Sequence, residues 1–211
     1  MNVTIIGTGN MARAIGARVL AGGNALTIVG KETARARAVA DGLADAGVVS
    51  TALIDDELAG DIFVLAVWFA DAKAFAQQRA DELANEVVID ITNPLNETWD
   101  GLAVAPDTSA AAELAGLAPL ARIVKAFNMT TARPLTAGEV DGHVLDVLIA
   151  GDDDDAKQRV AELARGGGLR PIDVGDLSRA RELEVAGLLN IRLQTILGTN
   201  FSNGFQLVGP R

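Results

Sequence analysis

The chain has 211 residues, 49% of them hydrophobic, and carries a formal net charge of −10 at pH 7. It contains no cysteine or tyrosine, which excludes disulfides, thiolate metal sites and Tyr/Lys dehydrogenase pairs, and its single histidine leaves almost no material for a histidine-centred triad or a multi-histidine metal site. The acidic balance opposes binding to nucleic acid or anionic membranes. Because no apolar run approaches the roughly 20 residues that cross a bilayer and no secretory signal is visible, we expect a cytoplasmic protein.

Short β-rich runs alternate with Ala-rich helical stretches along the chain, a pattern typical of repeated βαβ units. Strands are predicted near residues 2–6, 25–29, 62–67, 86–91, 122–127, 144–150 and 170–174. Helices are predicted near residues 10–22, 33–46, 70–84, 108–116, 153–165 and 177–197. Several strands are apolar at consecutive positions, so we expect helices on both faces of a mostly parallel sheet.

The first predicted strand runs directly into the sequence GTGNMA at 7–12. This is the G-x-G-x-x-A form of the dinucleotide-binding loop, placed between a strand and a helix as that loop requires. Gly7 allows the tight turn, Gly9 lets a pyrophosphate approach the backbone, and Ala12 lets the helix pack closely on the strand. The prediction is a Rossmann-type doubly wound α/β fold in a single domain over 1–211, with its nucleotide-binding core at 1–129.

The end of the second strand indicates which nucleotide is bound. NAD enzymes usually place an acid there to hold both ribose hydroxyls, whereas this strand ends at Gly30 and continues with Lys31. Arg35 follows on the next helix, so a 2′-phosphate would meet cationic partners, which favours NADP. Glu32 opposes this reading because it could reach a 2′-hydroxyl and would repel a phosphate.

Four other features are interpreted as structural. The aspartates at 152–155 should cap and charge-stabilise the helix that follows them, rather than hold a metal. The glycines at 166–168 should stop that helix, and His143 should lie exposed in a loop. Residues 177–197 place apolar side chains at helical intervals, which predicts a core-facing helix.

Six motifs together point to a known family. In order and spacing they resemble the NADPH-dependent deazaflavin reductases, meaning coenzyme F-420:NADP oxidoreductase, its bacterial relatives and the nucleotide-binding domain of membrane metalloreductases. The motifs are GTGNMA at 7–12, VGK at 29–31, DITNPLN at 90–96, VKAFN at 124–128, AGDDDDAK at 150–157 and VGDLSRARELE at 174–184. The resemblance implies a Rossmann protein, commonly dimeric, that holds the nicotinamide against a second planar redox ring at the strand ends.

The resemblance also implies which residues contact NADP, and it places them at five loops. The pyrophosphate would lie on Gly7, Thr8, Gly9, Asn10, Met11 and Ala12, and the 2′-phosphate near Lys31 and Arg35. The remaining contacts would come from the ends of three strands: Val67, Trp68 and Phe69; Asn93 and Pro94; and Ala126, Asn128 and Met129. Asn93 could equally serve only to shape the turn before Pro94. Trp68 departs from the family, since relatives often have proline there, and archaeal relatives have arginine at Glu32.

The residues available agree with hydride transfer between two stacked rings. This reaction requires the donor and acceptor carbons to be held about 3–3.5 Å apart and needs no acid–base residue. No catalytic side chain and no metal are predicted. The expected function is hydride transfer between NADPH and a deazaflavin (coenzyme F-420) or FMN. The alternatives are an NADPH-dependent flavin or metal-chelate reductase and a non-catalytic NADP-sensing module. The expected partners are a small redox substrate and a second copy of the chain, with 130–211 completing the acceptor cleft or the dimer interface.

Overall fold

The computed structural model describes residues 1–209 and contains an eight-stranded sheet covered by helices on both faces. The strands are β1 Asn2–Ile6, β2 Ala25–Gly30, β3 Val49–Leu53, β4 Ile62–Leu65, β5 Val87–Asp90, β6 Arg122–Lys125, β7 Glu139–Val140, β8 His143–Val144, β9 Asp146–Gly151 and β10 Arg170–Gly175. The helices are α1 Asn10–Ala21, α2 Thr33–Asp41, α3 Phe69–Gln78, α4 Ala110–Leu117, α5 Ala132–Ala137, α6 Asp154–Gly166 and α7 Ala180–Leu197. Short 3₁₀ turns cover Ala44–Ala46 and Leu177–Arg179.

The strand order in the sheet is β10-β9-β6-β5-β4-β1-β2-β3, and β7 pairs with β8 in a separate hairpin. All neighbouring pairs in the large sheet are parallel except β6 and β9. Strand order reverses at β1, between β4 and β2, so the loops that leave the carboxyl ends of these strands diverge and open a crevice. The predicted Rossmann-type α/β class is therefore confirmed.

The core has two apolar layers, one on each face of the sheet. Because side chains alternate along a strand, Ile5 and Val64 pack with α1 on one face, while Ile6 and Leu65 pack with α3 and α4 on the other. All four side chains are fully buried. This double covering explains why the strands read as continuous apolar runs, and it fixes the carboxyl ends of β1, β4, β5 and β6 as one rigid edge.

Several local predictions are confirmed. Asp153 is the N-cap of α6, accepting a hydrogen bond from the Ala156 N–H at 2.7 Å. The glycine run ends the same helix, with Gly168 at a φ of +78° that favours glycine. His143 is exposed in the β7–β8 hairpin. Within residues 1–209, no helix has both the length and the apolar character needed to cross a membrane.

Several sequence predictions are wrong. Helix α5 and the β7–β8 hairpin were not predicted, and the helices predicted over 33–46 and 70–84 end at Asp41 and Gln78. Strand β3 was missed because it lies at the sheet edge, where Ser50 and Thr51 are exposed and the apolar signal is weak. The last helix was predicted to face the core, but Leu189 and Ile196 are exposed in the single chain. The second half of α7 instead buries Asn190, which contacts the loop that follows β6, and Gln194, which contacts the tail after the helix.

Candidate dinucleotide site

The glycine loop has the geometry that a bound pyrophosphate needs. Gly7 has a φ of +132°, and a Cβ there would lie 2.2 Å from the Ala66 carbonyl oxygen, so no other residue fits between β1 and β4. A Cβ on Gly9 would have no described atom within 4 Å, which leaves the backbone open on that side. Gly9 caps α1 without a side-chain hydrogen bond. The first N–H groups of α1, from Asn10 to Ala12, are therefore available to an anion.

The glycine loop packs directly on the end of β2. A Cβ on Gly30 would lie 2.9 Å from Thr8 Cγ2, so Gly30 allows this contact and brings Lys31 close to the loop. Lys31 Nζ forms an ion pair with Asp71 Oδ1 at 2.8 Å. Arg35 Nε lies 3.4 Å from Glu32 Oε2. Both cations predicted for the 2′-phosphate are thus exposed and already paired with carboxylates.

The loop between β4 and α3 carries the next predicted contacts. Val67 lies against the glycine loop, because a Cβ on Gly7 would be 3.2 Å from Val67 Cγ1. Trp68 is the N-cap of α3 and is exposed, whereas Phe69 is half-buried against the core. Lys73 Nζ lies 5.3 Å from the centre of the Phe69 ring, a cation–π distance that fixes the ring face.

The predicted amides at the ends of β5 and β6 form a hydrogen-bonded pair. Asn93 Nδ2 donates to the Asn128 carbonyl, and Asn128 Nδ2 donates to Asn93 Oδ1, both at 2.9 Å. Asn128 Nδ2 also donates to the Leu183 carbonyl of α7 at 2.8 Å. A Cβ on Gly187 would lie 2.4 Å from Asn93 Oδ1, so α7 can approach the pair only with glycine at this position.

The other three predicted residues support this site through their backbones. The Pro94 carbonyl accepts from Ala103 N–H, and the Ala126 N–H donates to the Asp90 carbonyl at 3.2 Å. The Met129 carbonyl accepts from Asn190 Nδ2 of α7 at 2.8 Å. The loops after β5 and β6 are therefore both tied to the rest of the fold, and the Met129 bond fixes the second loop to the polar face of α7.

A buried ionic cluster, which the sequence analysis missed, lies beneath the amide pair. Lys125 Nζ is 2.8 Å from Asp90 Oδ2 and 2.9 Å from Glu184 Oε1, and all three side chains are fully buried. Lys125 Nζ also donates to the Thr92 carbonyl. A lysine inside the apolar run RIVKAF was the available signal, since buried lysines are almost always paired.

Glu184 connects this cluster to a helix end. Its two carboxylate oxygens accept from the N–H groups of Ala110 and Ala111, at 3.1 and 3.4 Å, at the start of α4. Burial raises the pKa of Glu184, and the charge of Lys125 opposes that rise only in part. The free N–H groups and the positive end of α4 stabilise the charged form. The cluster thus joins β5, β6, α4 and α7 beneath the amide pair.

The arrangement suits ligand positioning rather than proton transfer. Within residues 1–209, no group of His, Cys, Asp and Glu has the geometry to hold a metal ion. Two buried polar atoms at the β5 and β6 ends, Thr92 Oγ1 and Asn128 Oδ1, have no hydrogen-bond partner among the described residues. A buried unpaired acceptor is costly, so it points to a ligand that donates, as a nicotinamide carboxamide does. The open Gly9 backbone and this orphaned oxygen fit a dinucleotide.

The comparisons with known proteins find NADP oxidoreductases and metalloreductases. Residues 2–94 match the family described as NADP oxidoreductase, coenzyme F-420-dependent. The chain is 33% identical to metalloreductase STEAP3 of Rattus norvegicus over 186 residues, covering 88% of this chain and 36% of that protein. It is 29% identical to the F-420-dependent NADP reductase of Methanocaldococcus jannaschii over 140 residues, covering 64% of this chain and 62% of that one.

A solved structure supports the same grouping. A crystal structure provisionally described as an F-420-dependent NADP-reductase from Arthrobacter sp. fb24 superposes with a TM-score of 0.84 at 27% identity. The superposition covers 98% of this chain and 99% of that one. The chain spans about a third of the rat relative and under two thirds of the archaeal one. The resemblance predicted from the sequence motifs is confirmed.

Proposed function

We propose that this chain moves a hydride between NADPH and a deazaflavin ring, because residues 2–94 match the family described as NADP oxidoreductase, coenzyme F-420-dependent. The deazaflavin is coenzyme F-420 or a related ring, with FMN as the flavin alternative. Bound NADPH would supply the hydride from its nicotinamide carbon. The protein's own residues would hold that ring, exclude water and leave one ring face open to the second substrate.

The observation that carries this proposal is the amide pair Asn93–Asn128 at the ends of β5 and β6. It lies on the same edge of the sheet as the open glycine loop, and it rests on the buried Lys125 cluster. Hydride transfer needs a precisely held ring and no general acid. A site with one unpaired amide oxygen, Asn128 Oδ1, and no histidine or cysteine supports that chemistry.

NADP is proposed over NAD because of the cations at the end of β2. Lys31 and Arg35 are both exposed and each has one acidic partner. Exposed ion pairs contribute only about 0–1 kcal/mol, so a 2′-phosphate, with about twice the charge of a carboxylate, can replace these partners. Glu32 would then have to turn away from the phosphate.

The test is anaerobic oxidation of NADPH by the purified protein. One reaction contains the deazaflavin coenzyme, a second contains FMN, and parallel reactions replace NADPH with NADH. We expect NADPH absorbance to fall together with deazaflavin absorbance, and NADH to be a poorer donor. Equal rates with NADH would remove the NADP assignment, and bleaching of FMN alone would make the protein a flavin reductase.

A metal-chelate reductase is the second candidate, favoured by the 33% identity to a metalloreductase over most of the chain. Such a protein would pass electrons from NADPH through a flavin to a ferric chelate. Ferric citrate added to the FMN reaction distinguishes this candidate only if ferrous iron forms faster than chemically reduced FMN produces it without the protein. Tight NADPH binding with no oxidation in any reaction would instead favour a non-catalytic NADP sensor.

We also propose that the chain forms a homodimer through α7. Its outward face carries Val185, Leu189 and Ile196, which are exposed apolar side chains at helical spacing. The tail after α7 lies on its own chain, because the Leu207 N–H donates to Asp146 and the Phe201 carbonyl accepts from Thr131. Sedimentation of a monomer at micromolar concentration would contradict the dimer. The cytoplasmic location stays a prediction.

A further inference from the structure

The only two tryptophans of the chain face each other at the edge of the candidate site. Trp68 is 66% exposed and Trp99 is 47% exposed, although both rings are large and apolar. Their ring centres lie 6.3 Å apart and the ring planes are tilted by 60°. At that tilt the rings form an open corner instead of covering each other, so apolar ring surface stays in contact with water.

The loop that carries Trp99 is held rigidly. Asn96 Oδ1 accepts from the Asp100 and Gly101 N–H groups, and Asn96 Nδ2 donates to Asp100 Oδ1 at 2.7 Å. Hydrogen bonds from Thr98 and Asn96 lower the pKa of Asp100. Trp99 itself has a φ of +59°, which is unfavourable for a bulky residue. Strain of this kind persists where the surrounding contacts impose it, often at ligand sites.

Trp68 and Trp99 lie beside the ends of β4 and β5, where the nicotinamide half of a dinucleotide would bind. Trp68 follows β4 and lies one residue after Val67, which touches the glycine loop. Trp99 belongs to the loop that leaves β5, six residues after Asn93. The other side of α3 faces β2 through the Asp71–Lys31 ion pair. The first turn of α3 therefore separates the cations at β2 from the tryptophans beside β5.

We propose that Trp68 and Trp99 form an aromatic subsite that stacks the planar ring of the second redox substrate, an isoalloxazine or a 5-deaza-isoalloxazine. The proposal rests on the proposed function and specifies which part of the site takes the acceptor. Exposed aromatic faces bind flat heterocycles without needing a particular pattern of hydrogen-bond donors. An adenine ring is less compatible, because the cations that suit the adenosine 2′-phosphate lie on the other side of α3.

The test measures ring binding by calorimetry with NADP⁺ at saturation, so that no hydride is available. The probes are riboflavin and 5-deazariboflavin. The variants are Trp68→Leu and Trp99→Asn, the second chosen because asparagine tolerates the left-handed conformation of that position. We expect each variant to bind the rings at least about fivefold more weakly and Trp68→Phe to recover most of the loss. NADP⁺ affinity should change by less than about twofold in Trp99→Asn, whose residue is not among the predicted NADP contacts.

Leu120→Ala is the matched control, because Leu120 is also 66% exposed but precedes β6, at the opposite edge of the sheet. Unchanged ring binding in both tryptophan variants, with normal deazaflavin reduction by the unaltered protein, would overturn the subsite and leave the proposed function intact. Equal losses of NADP⁺ and ring affinity would assign the tryptophans to the nucleotide instead. Failure of the unaltered protein to bind or reduce either ring, despite binding NADP⁺, would overturn both proposals.

Discussion

Two lysines at the same edge of the sheet illustrate opposite designs. Lys31 follows β2 and is exposed, with a single exposed acidic partner, Asp71. Lys125 ends β6 and is fully buried between Asp90 and Glu184. Both lysines are neutralised by carboxylates. In water such a pair is nearly free to exchange partners, whereas in the interior the loss of one partner leaves an uncompensated charge.

The β2 end and the β5 and β6 ends therefore suit two different tasks at one edge of the sheet. The exposed ion pairs at the β2 end could exchange their carboxylates for a 2′-phosphate, as the proposed discrimination between nucleotides requires. The β5 and β6 ends are fixed by the buried cluster, by the Asn93–Asn128 pair and by the close approach of α7 at Gly187. That rigidity suits the holding of a reacting ring, where small displacements reduce the rate strongly.

The largest expected effect comes from Lys125→Met, which leaves two carboxylates buried without their cation. We expect the free energy of unfolding to fall by about 3–5 kcal/mol, measured by urea denaturation. The control is Lys73→Met, which removes the half-exposed pair with Glu113 and should cost no more than about 1 kcal/mol. Equal losses in the two variants would show that burial does not distinguish the two regions.

Gly187→Ala should have the next largest effect. The added methyl group would push Asn93 away from Asn128, so we expect about 1–3 kcal/mol of destabilisation from overpacking. Turnover should fall by about tenfold or more with little change in NADP⁺ affinity, because the nicotinamide support moves while the pyrophosphate loop does not. Gly116→Ala is the control, since its methyl group meets no described atom within 4 Å and should be neutral or slightly stabilising.

Glu184 should give the protein a distinctive pH dependence. Because burial raises its pKa above the usual value of 4.5, the folded state binds the proton more tightly than the unfolded state. The stabilisation is complete below pH 4.5 and is lost as the pH rises through the folded-state pKa. Because glutamine resembles the protonated carboxyl, the unfolding free energy of the natural protein should fall relative to that of Glu184→Gln as the pH rises through this window. If the unfolding free energies of the two proteins changed with pH by the same amount, the raised pKa of Glu184 would be refuted.

Asp71→Asn should have the smallest effect, because it removes only an exposed partner of Lys31. We expect NADPH to bind up to about fivefold more tightly, since Lys31 no longer has to exchange a carboxylate for the phosphate. NADH affinity should stay constant in the same calorimetric titrations. Glu82→Gln, which removes an exposed carboxylate paired with Arg79, is the control for net charge. An equal gain for NADH would contradict the role given to Lys31.

The features that were predictable from the sequence are local ones. The loop at 7–12 and the Asp153 cap each depend on residues within a few positions of one another, and the strand–turn–helix context is readable from the chain. The buried cluster was not predictable, because Lys125 and Glu184 are 59 residues apart and meet only when α7 docks. The same docking explains why Leu189 is exposed where helical spacing predicted a core position.

The contact between Trp68 and Trp99 was also not predictable from the sequence. Trp68 and Trp99 lie on two loops that follow neighbouring strands, and their approach depends on the closed conformation of the Asn96 loop. The sequence identified Trp68 as a departure from the family but gave no reason to pair it with Trp99. Contacts between residues on different loops can be identified only in the folded chain, whereas periodic patterns of apolar residues can be identified in the sequence.

The central claim is that this edge of the sheet positions two rings for direct hydride transfer without an acid–base residue. The most direct measurement uses NADPH deuterated at one face of the nicotinamide C4, with the deazaflavin coenzyme in ordinary water. We predict that one of the two labelled forms delivers its deuterium to the acceptor carbon and that the other retains it. Loss of the label to water, or equal loss from both faces, would contradict direct transfer between positioned rings.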